Sequence, residues 1–125
     1  MGEKYSHFTW AYHALKFSEI RQIGCRSFTK EEGEISKKFR IKNNVKNIKN
    51  PVYLTIDLDV LKTSDVGTPE PEGIDFGDLT RILKQVCRNK LIGMDIVECG
   101  AMKVNSQSSI IAANLIKKIL AFWKK

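Results

Sequence analysis

Asp57 and Asp59 stand two residues apart at the end of the most apolar run of the chain, Val52-Tyr53-Leu54-Thr55-Ile56. That run of β-branched and aromatic residues predicts a buried strand of a parallel sheet, and ligand sites in such sheets lie just beyond the carboxyl ends of strands. With side chains alternating in period 2, both carboxylates face the same way and repel unless one is protonated or both bind a cation. Ligation by oxygen alone favours a hard ion such as Mg²⁺ or Mn²⁺. Composition also allows a simpler reading, in which one aspartate caps the following turn and the other is solvated. By its neighbours alone, His7 is a surface loop residue after Tyr5-Ser6, and Glu98 is a strand-end glutamate facing water. His13 reads as a structural or solvated position on the first helix.

The elements that must position these residues follow from periodicity and turn signals. Residues 9–19 predict a helix with Trp10, Ala14, Leu15 and Phe17 on a broad apolar face, and residues 20–25 a short strand. Thr29, with Glu31 and Glu32 close behind, predicts a second helix that ends near Lys38. An edge strand over residues 39–45 then precedes Asn50-Pro51, which restarts the chain as the central strand. Residues 62–73 are rich in Pro and Gly and predict a loop. A helix over 75–88 carries Phe76, Leu79, Ile82, Leu83 and Val86 at helical spacing, and residues 91–97 predict another buried strand. Residues 106–109 offer serine caps for a final helix whose stripe Ile111, Leu115, Ile119 and Phe122 is core. Strands alternating with helices predict an α/β fold, a parallel sheet with helices on both faces. Repeats, low-complexity tracts and interdomain linkers are not evident, so residues 1–125 are expected to form one domain.

The chain has 125 residues, 42% hydrophobic and 28% charged, the composition of an ordinary soluble protein. No stretch reaches the roughly 20 apolar residues that span a bilayer, and the N-terminus lacks a signal-peptide plan. Cytoplasmic location is expected. Cys25, Cys87 and Cys99 are odd in number and widely spaced, which predicts reduced, mostly buried thiols rather than a disulfide framework or a zinc site. The net charge of +7 is concentrated in Lys37-Lys38-Phe39-Arg40-Ile41-Lys42-Asn43-Asn44-Val45-Lys46-Asn47-Ile48-Lys49, which has no acidic residue. Such a run attracts polyanions without reading sequence, but most such runs are solvated faces, so nucleic acid is not the expected partner.

Thr55-Ile56-Asp57-Leu58-Asp59-Val60-Leu61, followed by Gly67-Thr68-Pro69-Glu70-Pro71, resembles the late metal-binding signature of the ureohydrolases, the arginase and agmatinase family. Four further stretches agree in order. Tyr5-Ser6-His7-Phe8-Thr9 resembles the agmatinase segment with a conserved histidine, and Gln22-Ile23-Gly24-Cys25-Arg26-Ser27 the strand after it. Asp95-Ile96-Val97-Glu98 resembles the strand with the substrate glutamate, and Ala112-Ala113-Asn114-Leu115 the final helix. The resemblance implies an α/β chain with part of the three-layer α/β/α arginase-like fold and a mainly parallel sheet, matching the C-terminal half of an agmatinase-type domain.

That resemblance implies Mn²⁺-dependent hydrolysis of a guanidine such as agmatine to urea and an amine, with a pair of Mn²⁺ ions activating water. Asp57 matches a carboxylate shared by the two ions and Asp59 a ligand to one of them. Glu98 matches the carboxylate that holds the substrate guanidinium, and His7 a proton-relaying histidine. Two earlier signatures, Gly-Gly-Asp-His and Asp-Ala-His-x-Asp, are absent. The isolated chain is therefore expected to bind metal weakly and not to hydrolyse guanidines by itself. Between Leu61 and Gly67 the family has a longer loop than Lys62-Thr63-Ser64-Asp65-Val66, and Cys99-Gly100-Ala101 is expected to give Glu98 more backbone freedom. An alternative is a non-catalytic interaction subunit that binds itself or a partner protein through an exposed sheet edge and the basic segment.

Overall fold

Thr29 starts a helix through a reciprocal pair of bonds. The Glu32 N–H donates to Thr29 Oγ1 (3.2 Å) and the Thr29 N–H to Glu32 Oε2 (2.6 Å), which satisfies two donors that a helix start leaves orphaned. The helix it starts, Lys30–Lys38 (α2), is the second of the chain, after the short Trp10–Ala14 (α1). The structure, a computed structural model, describes residues 9–63, 65–100 and 105–123. It comprises two compact units that divide between Asn44 and Val45.

In the first unit, α2 is where the capping signal puts it. The helix predicted over 9–19 is shorter: α1 ends at Ala14, where Ser18 Oγ donates to the Ala14 carbonyl (2.9 Å) and the Lys16 and Phe17 N–H groups reach back only three residues. The strands predicted over 20–25 and 39–45 reduce to one parallel bridge between Arg21 and Lys42. Arg40 turns the backbone with a φ of 52°, and that breaks extension there. Glu19 ties the two segments together, 2.8 Å from Arg21 and 3.1 Å from Lys42.

In the second unit, Val52–Asp57 (β1) pairs in parallel with Leu91–Val97 (β2), with Thr55 opposite Asp95, Ile56 opposite Ile96 and Asp57 opposite Val97. The core contains Ile56 and Leu91 together with Leu79, Leu83 and Val86 of α3 (Phe76–Val86) and Leu115 and Ile119 of α4 (Gln107–Phe122). A fully buried leucine contributes about 1.5–3 kcal/mol, so Leu83 and Leu115 are main anchors of this packing. Both helices pack on one face of the strand pair. The other face carries exposed Tyr53, Thr55 and Asp57, with Tyr53 at 60% exposure, and the parallel pair with its helices is a partial α/β arrangement of the kind expected.

The loop after β1 is closed on itself and tied down. Ile74 donates its N–H to Val60 O (2.9 Å), and Lys62 donates to Ile74 O (3.1 Å). A Cβ on Gly73 would run into the Leu61 carbonyl and the Lys62 nitrogen, so glycine permits this closure. At the far end, Ser106 caps α4 by accepting from the Ser109 N–H (3.3 Å), and Ser108 donates its N–H to Asp65 Oδ2 (2.6 Å). Asp65 thus anchors the loop to a helix start whose partial positive charge favours a carboxylate. Cys25 and Cys99 are exposed and Cys87 is buried, which corrects the expectation of mostly buried thiols. Cys87 belongs to the core just past the end of α3, and burial raises its thiol pKa.

Candidate functional site

β1 ends at Asp57, and the next three residues, Leu58–Val60, form a single 3₁₀ turn with Leu58 fully buried beneath it. Asp57 caps that turn, its Oδ1 accepting the Asp59 N–H at 2.9 Å. Strand alternation therefore stops before it would relate the two aspartates. What relates them is the cap: Asp57 fixes the backbone of Asp59. The half-buried Asp59 carboxylate in turn accepts the Thr68 N–H on both oxygens, each at 3.1 Å.

Glu98 is the first residue past β2, one position beyond Val97, which lies opposite Asp57. Its φ is 57°, a left-handed conformation that costs a non-glycine residue about 1–2 kcal/mol. An antiparallel bridge between Val66 and Cys99 holds the backbone beside it. Gly100 lies close to the Val66 backbone, where an added Cβ would lie 3.2 Å from the carbonyl carbon. Gly67 lies against the Glu98 carboxylate itself. Residues 66–68 therefore touch Asp59 on one side and Glu98 on the other. Asp57 and Asp59 follow the end of β1 and Glu98 the end of β2, the carboxyl ends of two parallel strands, the usual place for ligands in such sheets.

His7 lies outside the described residues. His13, half-buried on α1, meets the Tyr12 ring edge-on with centroids 5.5 Å apart. Sequence reasoning missed Thr68 as the partner of Asp59 and Gly67 as the neighbour of Glu98, since neither contact has a local signal. It also missed a polar group on the open sheet face. Tyr53 Oη and Thr55 Oγ1 donate to the two oxygens of Asp95 at 3.0 and 2.6 Å, and the Asp95 bond and charge raise the Tyr53 pKa. Period-2 spacing before Asp57 and Val97 is the signal that would have found that group.

Anionic oxygens suit a hard divalent ion, so the donor chemistry of Asp57 and Asp59 fits a metal such as Mn²⁺. The donor number does not complete a site: no cluster of three or more His, Cys, Asp or Glu poised for a metal occurs among the described residues.

Parallel strands ending in carboxylates, with helices and a pinned loop after the first strand, form the carboxyl-end arrangement at which α/β folds hold ligands. The arginase family model matches residues 1–121, and the chain belongs to the arginase family, which is metal-dependent. An uncharacterised 32.2 kDa protein of Methanothermus fervidus is 32% identical over 95% of this chain and 49% of its own length. An agmatinase of Pyrococcus horikoshii is 36% identical over 58% of this chain and 27% of its own. The crystal structure of an agmatine ureohydrolase of Thermoplasma volcanium superposes with a TM-score of 0.80 at 30% identity, over 98% of this chain and 49% of that one. The chain thus spans about half or less of the length of these relatives. The likeness supports a partial arginase-like α/β fold and an agmatinase-like ureohydrolase relationship.

Proposed function

We propose that this chain carries the Asp57, Asp59 and Glu98 portion of an agmatinase-type ureohydrolase centre, the portion that matches the C-terminal half of the domain. Asp57 and Asp59 would hold Mn²⁺, and bound manganese supplies a water of lowered pKa and charge stabilisation during attack on a guanidinium carbon. Glu98 orients the guanidinium through paired charge-assisted hydrogen bonds. His7 is assigned proton transfer, a task suited to a side chain that titrates near neutrality. The substrate class is a guanidine such as agmatine, giving urea and an amine, as in polyamine metabolism. A cytoplasmic setting fits three widely spaced cysteines without a Cys-x-x-Cys pair.

One observation carries this reading: residues 66–68 bond to Asp59 and abut Glu98, so metal-side and substrate-side carboxylates share one loop. Two carboxylates leave most of a coordination shell to water, so this chain alone binds Mn²⁺ weakly and does not hydrolyse agmatine at an enzyme-like rate. Manganese titration with a urea assay tests both parts. Loss of Mn²⁺ binding in Asp57→Ala and Asp59→Ala supports the assignment, whereas unchanged binding refutes it.

A second reading, an interaction subunit, is favoured by the open face of the β1–β2 pair and by the exposed Ile92 of β2. Exposed large side chains such as Tyr53 and Ile92 beside a two-stranded pair invite pairing with another copy or a partner protein. Sedimentation of the purified chain discriminates, since a monomer at all concentrations counts against it.

A further inference from the structure

Resting on the assignment of Glu98 above, we infer that Gly67 is a positioning residue for that glutamate: its missing side chain is the space into which the Glu98 carboxylate folds. The backbone does not demand glycine at position 67, since Gly67, unlike Gly24 with a φ of 82°, does not carry a positive φ. What stands in the way of a side chain is the glutamate. A Cβ on Gly67 would overlap Glu98 Oε2 and lie 3.1 Å from its Cδ, but it would meet the Glu98 Cβ at an ordinary 3.6 Å. The conflict is confined to the end of one side chain.

That confinement decides what a substitution does. A carboxylate on a flexible stem swings away at little cost, so alanine at this position spares the fold and moves the charged group. The rest of the frame resists following it. The Val66–Cys99 bridge fixes the backbone on one side of Gly67, and the Asp59 carboxylate holds the Thr68 N–H on the other. Glu98 is itself held in a left-handed conformation. Residues 66–68 therefore set the Glu98 carboxylate in a fixed relation to Asp59, and Gly67 is the element of that gauge that tolerates no added atom.

The test uses the full chain with Mn²⁺ present. Agmatine affinity is measured for wild type, Gly67→Ala, Glu98→Gln and the double variant, and NMR contacts of residue 67 are recorded on the same samples. The expected result is a wild-type unfolding transition for Gly67→Ala, with agmatine binding weakened about tenfold, as in Glu98→Gln. The double variant binds no more weakly than either single one, and the methyl group introduced by Gly67→Ala shows no contact with the Glu98 γ-methylene. Wild-type affinity in Gly67→Ala beside a weakened Glu98→Gln overturns the inference, as does a retained contact between residue 67 and the Glu98 side-chain end. If wild type and Glu98→Gln bind agmatine alike, the substrate role of Glu98 falls, and the NMR contact alone decides the role of Gly67. Should Gly67→Ala fail to fold, adding Glu98→Ala restores folding if that carboxylate is the obstruction, and failure of this rescue overturns the inference.

Discussion

Thr55 donates its hydroxyl across the parallel strand pair to Asp95 at 2.6 Å, and two residues earlier on the same face Tyr53 donates to the other oxygen of that carboxylate. One acceptor thus pins two positions of β1 to β2 on the exposed face of the pair, just before the strand delivers Asp57. The arrangement fixes register where packing acts from one side only.

This cluster makes stability fall at alkaline pH. Asp95, through its hydrogen bond and then its charge, raises the Tyr53 pKa above its ordinary value of 10.0. The folded state therefore holds that proton at a pH where the unfolded chain releases it. The stabilisation is complete below pH 10 and is lost as pH rises through the folded pKa. Tyr53→Phe is expected to flatten the decline above about pH 10, followed by urea denaturation at a series of pH values. An identical decline in the variant would remove Tyr53 as its source.

The first unit has the opposite dependence. Glu19 is drawn below its ordinary pKa of 4.5 by the hydrogen bond from Lys42, against a smaller desolvation effect, with Arg21 adding to the lowering. Its stabilisation is present above that value and disappears as pH falls through the lower folded pKa. Lys42→Met is expected to shift the Glu19 carboxyl titration upward, read by NMR. Because the pair is exposed, salt at about 1 M is expected to shrink the difference from wild type.

Helices, loops and the two strands of the second unit were legible because their signals are local. Leu79, Leu83 and Val86 at helical spacing, the cap at Ser106 and the turn residues of 67–73 each act within a few positions of themselves. The strands expected near Arg21 and Lys42 were not, because extended segments need partners far along the chain, and there charge and a left-handed Arg40 reduce pairing to one bridge. The candidate carboxylates could be named from sequence by their pattern and family resemblance. Their arrangement could not: the Asp59–Thr68 bond spans nine residues, and the Gly67–Glu98 contact joins segments with no shared periodicity.

Asp65 links the loop to α4, and its removal separates capping from loop anchoring. The Ser108 N–H it accepts belongs to the first turn of the helix, where a carboxylate satisfies a donor and complements the macrodipole. Asp65→Ala is expected to cost about 1–2 kcal/mol by urea unfolding and to speed hydrogen exchange over residues 107–110. Asp65→Asn keeps an acceptor and is expected to lose less. Equal losses would mean that charge and acceptor act only together.

Asp57 has two tasks that one atom-level substitution separates. Its Oδ1 caps the 3₁₀ turn by accepting from Asp59, a task that needs an acceptor but no charge. Holding a divalent cation needs the charge as well. Asp57→Asn preserves an oxygen acceptor at the same reach and removes the anion, so it is expected to unfold like wild type in urea while losing about tenfold or more in Mn²⁺ affinity. Asp57→Ala removes both functions and is expected to lose about 1 kcal/mol of stability besides. An Asp57→Asn variant with wild-type Mn²⁺ affinity would leave this residue a turn cap and nothing more, with Asp59 the only aspartate of the pair still assigned to metal.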